Sequence, residues 1–251
     1  GSEMCIRDRN EAALIAARKG KSAVDMMAFN EAQDRVLLGA QRSIMLTEEE
    51  RRVIAYHEGG HAIVARFSVH SDPIQKVTIV PRGRSLGVTQ MSPDRDTYNY
   101  GRKYLLDRLA VAMGGRAAEA IVLNEVTTGA ENDLKEASKL ARRMVTEWGM
   151  ASAMPPVAFD LDGAAPFLGR QIAMGDRHYS EEAAASIDRE VERFIADAYT
   201  QATKTIEGHM AQLEALVVAL LQDEVVDGTR LDQVLGPRPE PVPVPVPVPS
   251  A

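Results

Sequence analysis

The alternation of apolar and polar positions along the chain reads as a run of helices interrupted once by strands. Ala12, Leu14, Ile15 and Ala16 set up a helical period from Asn10. Met27, Phe29, Val36 and Leu37 predict a second helix over roughly Met26 to Leu38. Thr47-Glu48-Glu49-Glu50 is a capping box, in which the Thr47 hydroxyl accepts from a first-turn amide while Glu50 reaches back. The helix it opens runs to about Phe67. Lys76–Val80 and Leu86–Gln90 then switch to short β-branched runs around Pro81-Arg82-Gly83-Arg84-Ser85, predicting a hairpin or two neighbouring strands. Further helices are expected over about Gly101–Ala112, Arg116–Leu123, Asn132–Glu147, Ser180–Ile206 and His209–Gln222. A loop-rich stretch from Met150 to Tyr179 separates the last two from the others. The fold class is mainly α with a small β-sheet (α+β).

The two ends differ from this pattern. Gly1-Ser2 looks like a cloning scar, and Met4-Cys5-Ile6-Arg7-Asp8 has no apolar period joining it to the helix after it. Residues 1–9 are therefore read as a non-native leader, and Cys5 is given no role. Residues 237–251 are mostly a Val-Pro alternation, which forms an extended polyproline II segment without a core: a disordered, solvated tail. Gly20-Lys21-Ser22 resembles the end of a phosphate-binding loop. The first glycine of such a loop would fall on Ile15, and a helix precedes it where a strand is required. It reads as a plain turn between helices.

Composition narrows the function classes. Of 251 residues, 45% are apolar and 26% charged, as in an ordinary globular protein. There are 29 Lys+Arg against 36 Asp+Glu, a net charge of −7, which argues against nucleic acid as a partner. One cysteine rules out a disulfide framework. The longest nearly pure apolar stretch, Leu213 to Leu221, carries Glu214 and is about half of the ~20 residues that a spanning helix needs. As given, the chain reads as soluble.

The chemistry is concentrated in His57-Glu58-Gly59-Gly60-His61, inside the capped helix. Four residues make about one turn, so both imidazoles leave the same face and can share one metal ion. Glu58 is rotated off that line and can hold a water without being a ligand. Two mid-helix glycines each cost about 1 kcal/mol relative to alanine, tolerable where something must approach the backbone. A third protein ligand is needed. The longer metzincin pattern fails, with Val64 in place of its glycine and Phe67 in place of its third histidine. Asp107, Glu119, Glu125, Glu131 and Asp133 remain open, and spacing does not choose among them. On spacing alone, Asp133 is an ordinary first-turn acid favoured by the helix dipole. His70, His178 and His209 read as loop or cap-region histidines, and Trp148 as a core residue.

These motifs, in this order, resemble the peptidase domain of the FtsH family, membrane-anchored AAA+ zinc proteases. The resemblance runs from about Asn10 to Leu235 through Asn10-Glu11-Ala12-Ala13-Leu14, the Tyr56–Ala62 metal helix and Asp72-Pro73-Ile74. It continues in Lys76-Val77-Thr78-Ile79, Pro81-Arg82-Gly83-Arg84, Leu86-Gly87-Val88-Thr89 and Gly114-Gly115-Arg116. Thr128-Gly129-Ala130-Glu131-Asn132-Asp133, Met144-Val145, Trp148-Gly149, Phe167-Leu168-Gly169 and Ile187-Asp188 complete it. The family usually has alanine at Gly59, a difference in flexibility and not in ligand chemistry.

The resemblance implies a zincin-like fold, with the metal helix packed on a small sheet and a C-terminal helical bundle. It implies one Zn2+ held by His57, His61 and Asp133, with Glu58 as catalytic base. It divides the chain into the end of an AAA+ small subdomain and linker (10–43) and a zinc peptidase domain (44–236). ATP and Mg2+ would belong to an ATPase module upstream, beside a membrane anchor. A homohexamer on the cytoplasmic face of the bacterial inner membrane, acting on unfolded or membrane proteins, is the implied setting. Two other functions compete: an assembly module with an inactive site, against which the intact Glu58 argues, and a stand-alone peptidase for short peptides, against which the partial ATPase segment argues.

Overall fold

The computed structural model describes residues 2–42, 44–83, 85–93, 98–159 and 180–239. Arg84, Phe167-Leu168-Gly169, His178 and the tail beyond Pro239 lie outside the described residues. The architecture is mainly helical with one small antiparallel sheet, as the pattern predicts.

Two helices come first, α1 (Ser2–Arg18) and α2 (Met26–Leu38), joined by a turn at Gly20-Lys21-Ser22 in which Gly20 has φ 67°. The first helix starts before Asn10, running through the segment without an apolar period. Helical hydrogen bonds are local and need no packed face, and from residue 6 onward the first fully buried side chain is Ala12. The pair closes on its own small core of Ala12, Ile15, Ala16, Ala28 and Ala32, with Phe29 against it.

The main core is built around α3 (Glu48–Phe67). Its start is the capping box: Thr47 Oγ1 accepts from Glu50 N (3.1 Å), and Glu50 Oε2 accepts from Thr47 N (2.7 Å). Against it pack α4 (Arg102–Ala118), α6 (Glu181–Gly208) and α7 (Met210–Asp223). The helix α5 (Glu131–Thr146) packs against both α4 and α6, which also pack directly on each other. Leu105, Leu109, Met113, Phe194, Leu213 and Leu216 are fully buried among them. None of the described helices is long and apolar enough to cross a membrane.

The pattern predicts a break near Gly114-Gly115, yet α4 continues through both glycines and then widens into a π-helical turn, Glu119–Leu123. The glycines serve close approach instead. A Cβ on Gly114 would lie 2.6 Å from the Gly60 carbonyl oxygen, and one on Gly60 only 2.3 Å from that of Gly114. The backbones of α3 and α4 therefore touch where their glycines face each other.

The predicted strands form β1 (Ile74–Thr78) and β2 (Val88–Met91), paired antiparallel with Val77 opposite Thr89. A third strand, β3 (Val225–Asp227), pairs with the other edge of β1 where the pattern predicts none. Three residues are too few for a readable alternation, and the turn entering them uses Glu224 at φ 60° in place of a glycine. The short α8 (Gly228–Leu235) comes next, also absent from the pattern. Trp148 is a correction: it is 39% exposed, with the Arg143 guanidinium 4.6 Å from its ring centre. A cation over an aromatic face stabilises it at the surface.

Candidate metal centre

The one-turn spacing on α3 does what it predicts: the His57 and His61 rings sit edge to face with centres 4.7 Å apart. Each ring is fixed from behind. His57 Nδ1 donates to Glu119 Oε1 (2.7 Å) and His61 Nδ1 to the Val111 carbonyl (2.7 Å). A carboxylate and a carbonyl only accept, so both Nδ1 atoms carry the hydrogen and both Nε2 atoms turn to the same point. Gly115 makes room for this, since a Cβ there would meet the His57 ring at 2.5 Å.

Asp133 comes from the first turn of α5 and completes the group. His57 Nε2 and His61 Nε2 are 3.1 Å apart, and Asp133 Oδ2 lies 3.2 Å from the first and 3.3 Å from the second. A tetrahedral zinc site with bonds near 2.0–2.1 Å has donor-to-donor edges of about 3.3 Å. Two neutral imidazole nitrogens and one carboxylate oxygen, converging at this spacing and leaving a fourth corner open, fit such an ion in both geometry and chemistry.

The electrostatics agree. Burial opposes a charge on His57, but the Asp133 and Glu119 carboxylates outweigh it and its pKa is pushed up to about 10. Burial likewise works against an Asp133 carboxylate, yet the His57 and His61 imidazoles beside it hold its pKa below the ordinary range. In the protein without metal, a proton on His57 balances the two carboxylates, the position a cation would otherwise take.

Glu58 is 7% exposed beside this triangle, and burial pushes its carboxyl pKa up against the lowering influence of His61 and His57. The other carboxylates considered from the sequence go elsewhere. Asp107 accepts from the His70 amide (2.9 Å) and from Gln201 Nε2 (3.1 Å), Glu131 pairs with Lys135, and Glu125 is exposed. Glu119 stands behind His57, its other oxygen accepting from Thr127 N (2.7 Å). His209 caps α6 and stacks on Phe67, ring centres 3.6 Å apart. Sequence reasoning missed Thr89, whose hydroxyl meets Glu58; its signal is the strand alternation that turns it toward α3.

The family model for Peptidase family M41 matches residues 44–234. The chain belongs to this family. Curated relatives align over a longer stretch than the family model. The ATP-dependent zinc metalloprotease FtsH 4 of Sphaerobacter thermophilus is 48% identical over 230 residues, 92% of this chain and 35% of the relative. The ATP-dependent zinc metalloprotease FtsH of Syntrophotalea carbinolica is 47% identical over 226 residues, covering 90% and 35%. That of Thermobaculum terrenum is 45% identical over 227 residues, covering 90% and 35%. The chain thus spans about a third of the length of these curated relatives.

Proposed function

We propose that this chain is the peptidase module of an ATP-dependent zinc endopeptidase of the FtsH type. The observation that carries the reading is the triangle of His57 Nε2, His61 Nε2 and Asp133 Oδ2 beside the buried Glu58. His57, His61 and Asp133 hold one Zn2+ per chain. When bound, zinc supplies a Lewis acid and makes hydroxide available at neutral pH by lowering the pKa of water to about 7.

The chain's own residues do the rest. Glu119 and the Val111 carbonyl keep both imidazoles in the tautomer whose Nε2 is a donor to metal. The Glu58 carboxylate takes the proton of the water that attacks the peptide carbonyl, then passes a proton to the departing amine. A base kept out of water, with its pKa raised by burial, suits both halves of that task.

Residues 10–43 are the end of an AAA+ small subdomain and its linker, and 44–236 the peptidase domain. The separate core of α1 and α2 supports that division. The full-length protein is a homohexamer whose ATPase modules feed unfolded or membrane proteins to this site, anchored in the bacterial inner membrane with the site on its cytoplasmic face. The names of the relatives support the ATP dependence.

The test is Glu58→Gln, assayed for zinc content and for hydrolysis of an unfolded protein. Zinc retained and hydrolysis lost is the expected result, and undiminished hydrolysis overturns the role of Glu58. Mass measurement of the purified protein, with a value near six chains expected, tests the assembly.

A further inference from the structure

The proposed mechanism asks Glu58 to present one carboxylate oxygen to a water, and a glutamate has three side-chain torsions that could carry that oxygen elsewhere. Burial alone does not fix them. One side chain does: Thr89 Oγ1 lies 2.8 Å from Glu58 Oε2 and 2.9 Å from the Glu58 backbone oxygen. Among the described residues, Thr89 is the side chain that hydrogen-bonds this carboxylate.

We propose that Thr89 is the positioning residue for the catalytic base, its hydroxyl tying Glu58 Oε2 back to the helix so that Oε1 is the oxygen offered to the water. The inference rests on the peptidase reading above.

Three features of the strand that carries Thr89 support it. Thr89 sits opposite Val77 in the β1–β2 pair, and Val77 is fully buried, so the strand's distance from α3 is set by the sheet. Gly87, two residues earlier, lies flat against the same glutamate: a Cβ there would meet Glu58 Cγ at 2.7 Å and Ile54 Cγ2 at 2.9 Å. The chain at this point is thus shaped around Glu58, with a glycine over its stem and a hydroxyl at its tip. The third feature is chemical. A hydroxyl has one hydrogen and two acceptor lone pairs. It can donate to Glu58 Oε2 in the carboxylate, and equally to Oε2 as the carbonyl oxygen of the acid once Oε1 carries the water's proton. The tie therefore survives both forms that the proposed reaction requires.

A structural role for the Thr89 methyl group predicts a different response to substitution, which gives the test. Thr89→Val keeps the shape and removes the hydroxyl; Thr89→Ser keeps the hydroxyl and removes the methyl. Both are assayed as purified protein for zinc content, for kcat and KM on an unfolded protein, and by crystal structures of the metal-free protein. Loss of an outer hydrogen-bond partner at a metal site typically costs 10- to 100-fold, so kcat of Thr89→Val is expected to fall by roughly that factor. KM and zinc content stay unchanged. Thr89→Ser is expected to retain most of kcat. In metal-free crystals the Glu58 carboxylate is expected to leave its place in the valine variant and keep it in the serine variant. Unchanged kcat in Thr89→Val, equal impairment of Thr89→Ser, or an unmoved Glu58 in the valine crystal each overturns the proposal. Glu58→Gln run alongside separates the two readings: an active glutamine variant sinks the base itself, while a dead one beside an unimpaired Thr89→Val sinks only the role of Thr89.

Discussion

The α3–α4 interface and the α1–α2 pair are both helical contacts built from small residues, and they do opposite things. Between α3 and α4, Gly60 faces Gly114 and Gly115 faces the His57 ring, leaving no room for even a methyl group. That contact carries the triangle of His57, His61 and Asp133 and continues into the main core. The α1–α2 pair instead packs alanines on alanines in a core of its own. It meets the rest of the molecule through polar links. Asp34 pairs with Lys76 and, at 3.4 Å, with Arg82. Arg42 N donates to the Pro81 carbonyl (2.9 Å) and Gly83 N to that of Ala40 (3.1 Å). Close packing fixes atoms to fractions of an ångström; a few ion pairs and loop hydrogen bonds hold a unit without dictating its internal geometry. The site belongs to the first kind of contact, and the joint with the neighbouring unit to the second.

Breaking the tight contact is expected to have the largest effect. Gly60→Ala drives a methyl into backbone that cannot rotate away, and a loss of about 3 kcal/mol of stability is expected in urea unfolding. Gly59→Ala is the control one residue away. Its Cβ would meet the end of the Leu213 side chain at 2.8 Å, which can turn aside, and alanine recovers about 1 kcal/mol of helix propensity. A Gly60 variant as stable as the Gly59 variant breaks the comparison.

Next comes the triangle itself. Asp133→Ala is expected to weaken zinc binding by more than the roughly 10- to 100-fold loss expected for Glu119→Ala, because one would touch the metal and the other only orients His57. Competition with a fluorescent chelator measures both. Equal losses would move Glu119 into the same rank as Asp133.

A pH series sharpens the electrostatic side. Zinc must displace the proton on His57, whose pKa without metal is about 10. Affinity is therefore expected to rise about tenfold per pH unit from pH 7 toward 10, with one proton released per zinc in calorimetry. An imidazole at its usual 6.5 would show a plateau above neutrality. The sign reverses for stability of the metal-free protein. A raised His57 pKa stabilises fully below 6.5, and that contribution is lost as pH rises through about 10.

The smallest effect is expected at the polar joint. Asp34→Ala removes two partly exposed ion pairs and is expected to cost about 1 kcal/mol. Hydrogen exchange should quicken in residues 26–42 and stay unchanged in α3, with zinc affinity unaltered. A change in zinc affinity would show that the joint reaches the site after all.

Much of this is legible from local signals. Thr47 and Glu50 announce α3, and the spacing of His57 and His61 announces one shared point on its face. The glycines of 114–115 mislead, because the same residue type marks a helix end and a close helix crossing, and nothing local distinguishes the two. β3 and α8 escape a sequence reading because three strand residues and two helical turns hold their shape through packing on β1 and α7. Trp148 is misplaced by it because an aromatic ring can be covered by a surface arginine as well as by a core.

What the sequence by itself determined is whatever depends on neighbours within a turn or two: where helices start, which face carries the histidines, which stretch pairs as a hairpin. Tertiary structure alone decided what stands around them. Asp133 reaches His57 across 76 residues of chain, Glu119 supports it across 62, and Thr89 meets Glu58 across 31. The physical reason is range. Backbone hydrogen bonds and side-chain spacing act over a few residues, while convergence on a single point is set by how the helices and the sheet pack, and at α3 and α4 that packing turns on two facing glycines.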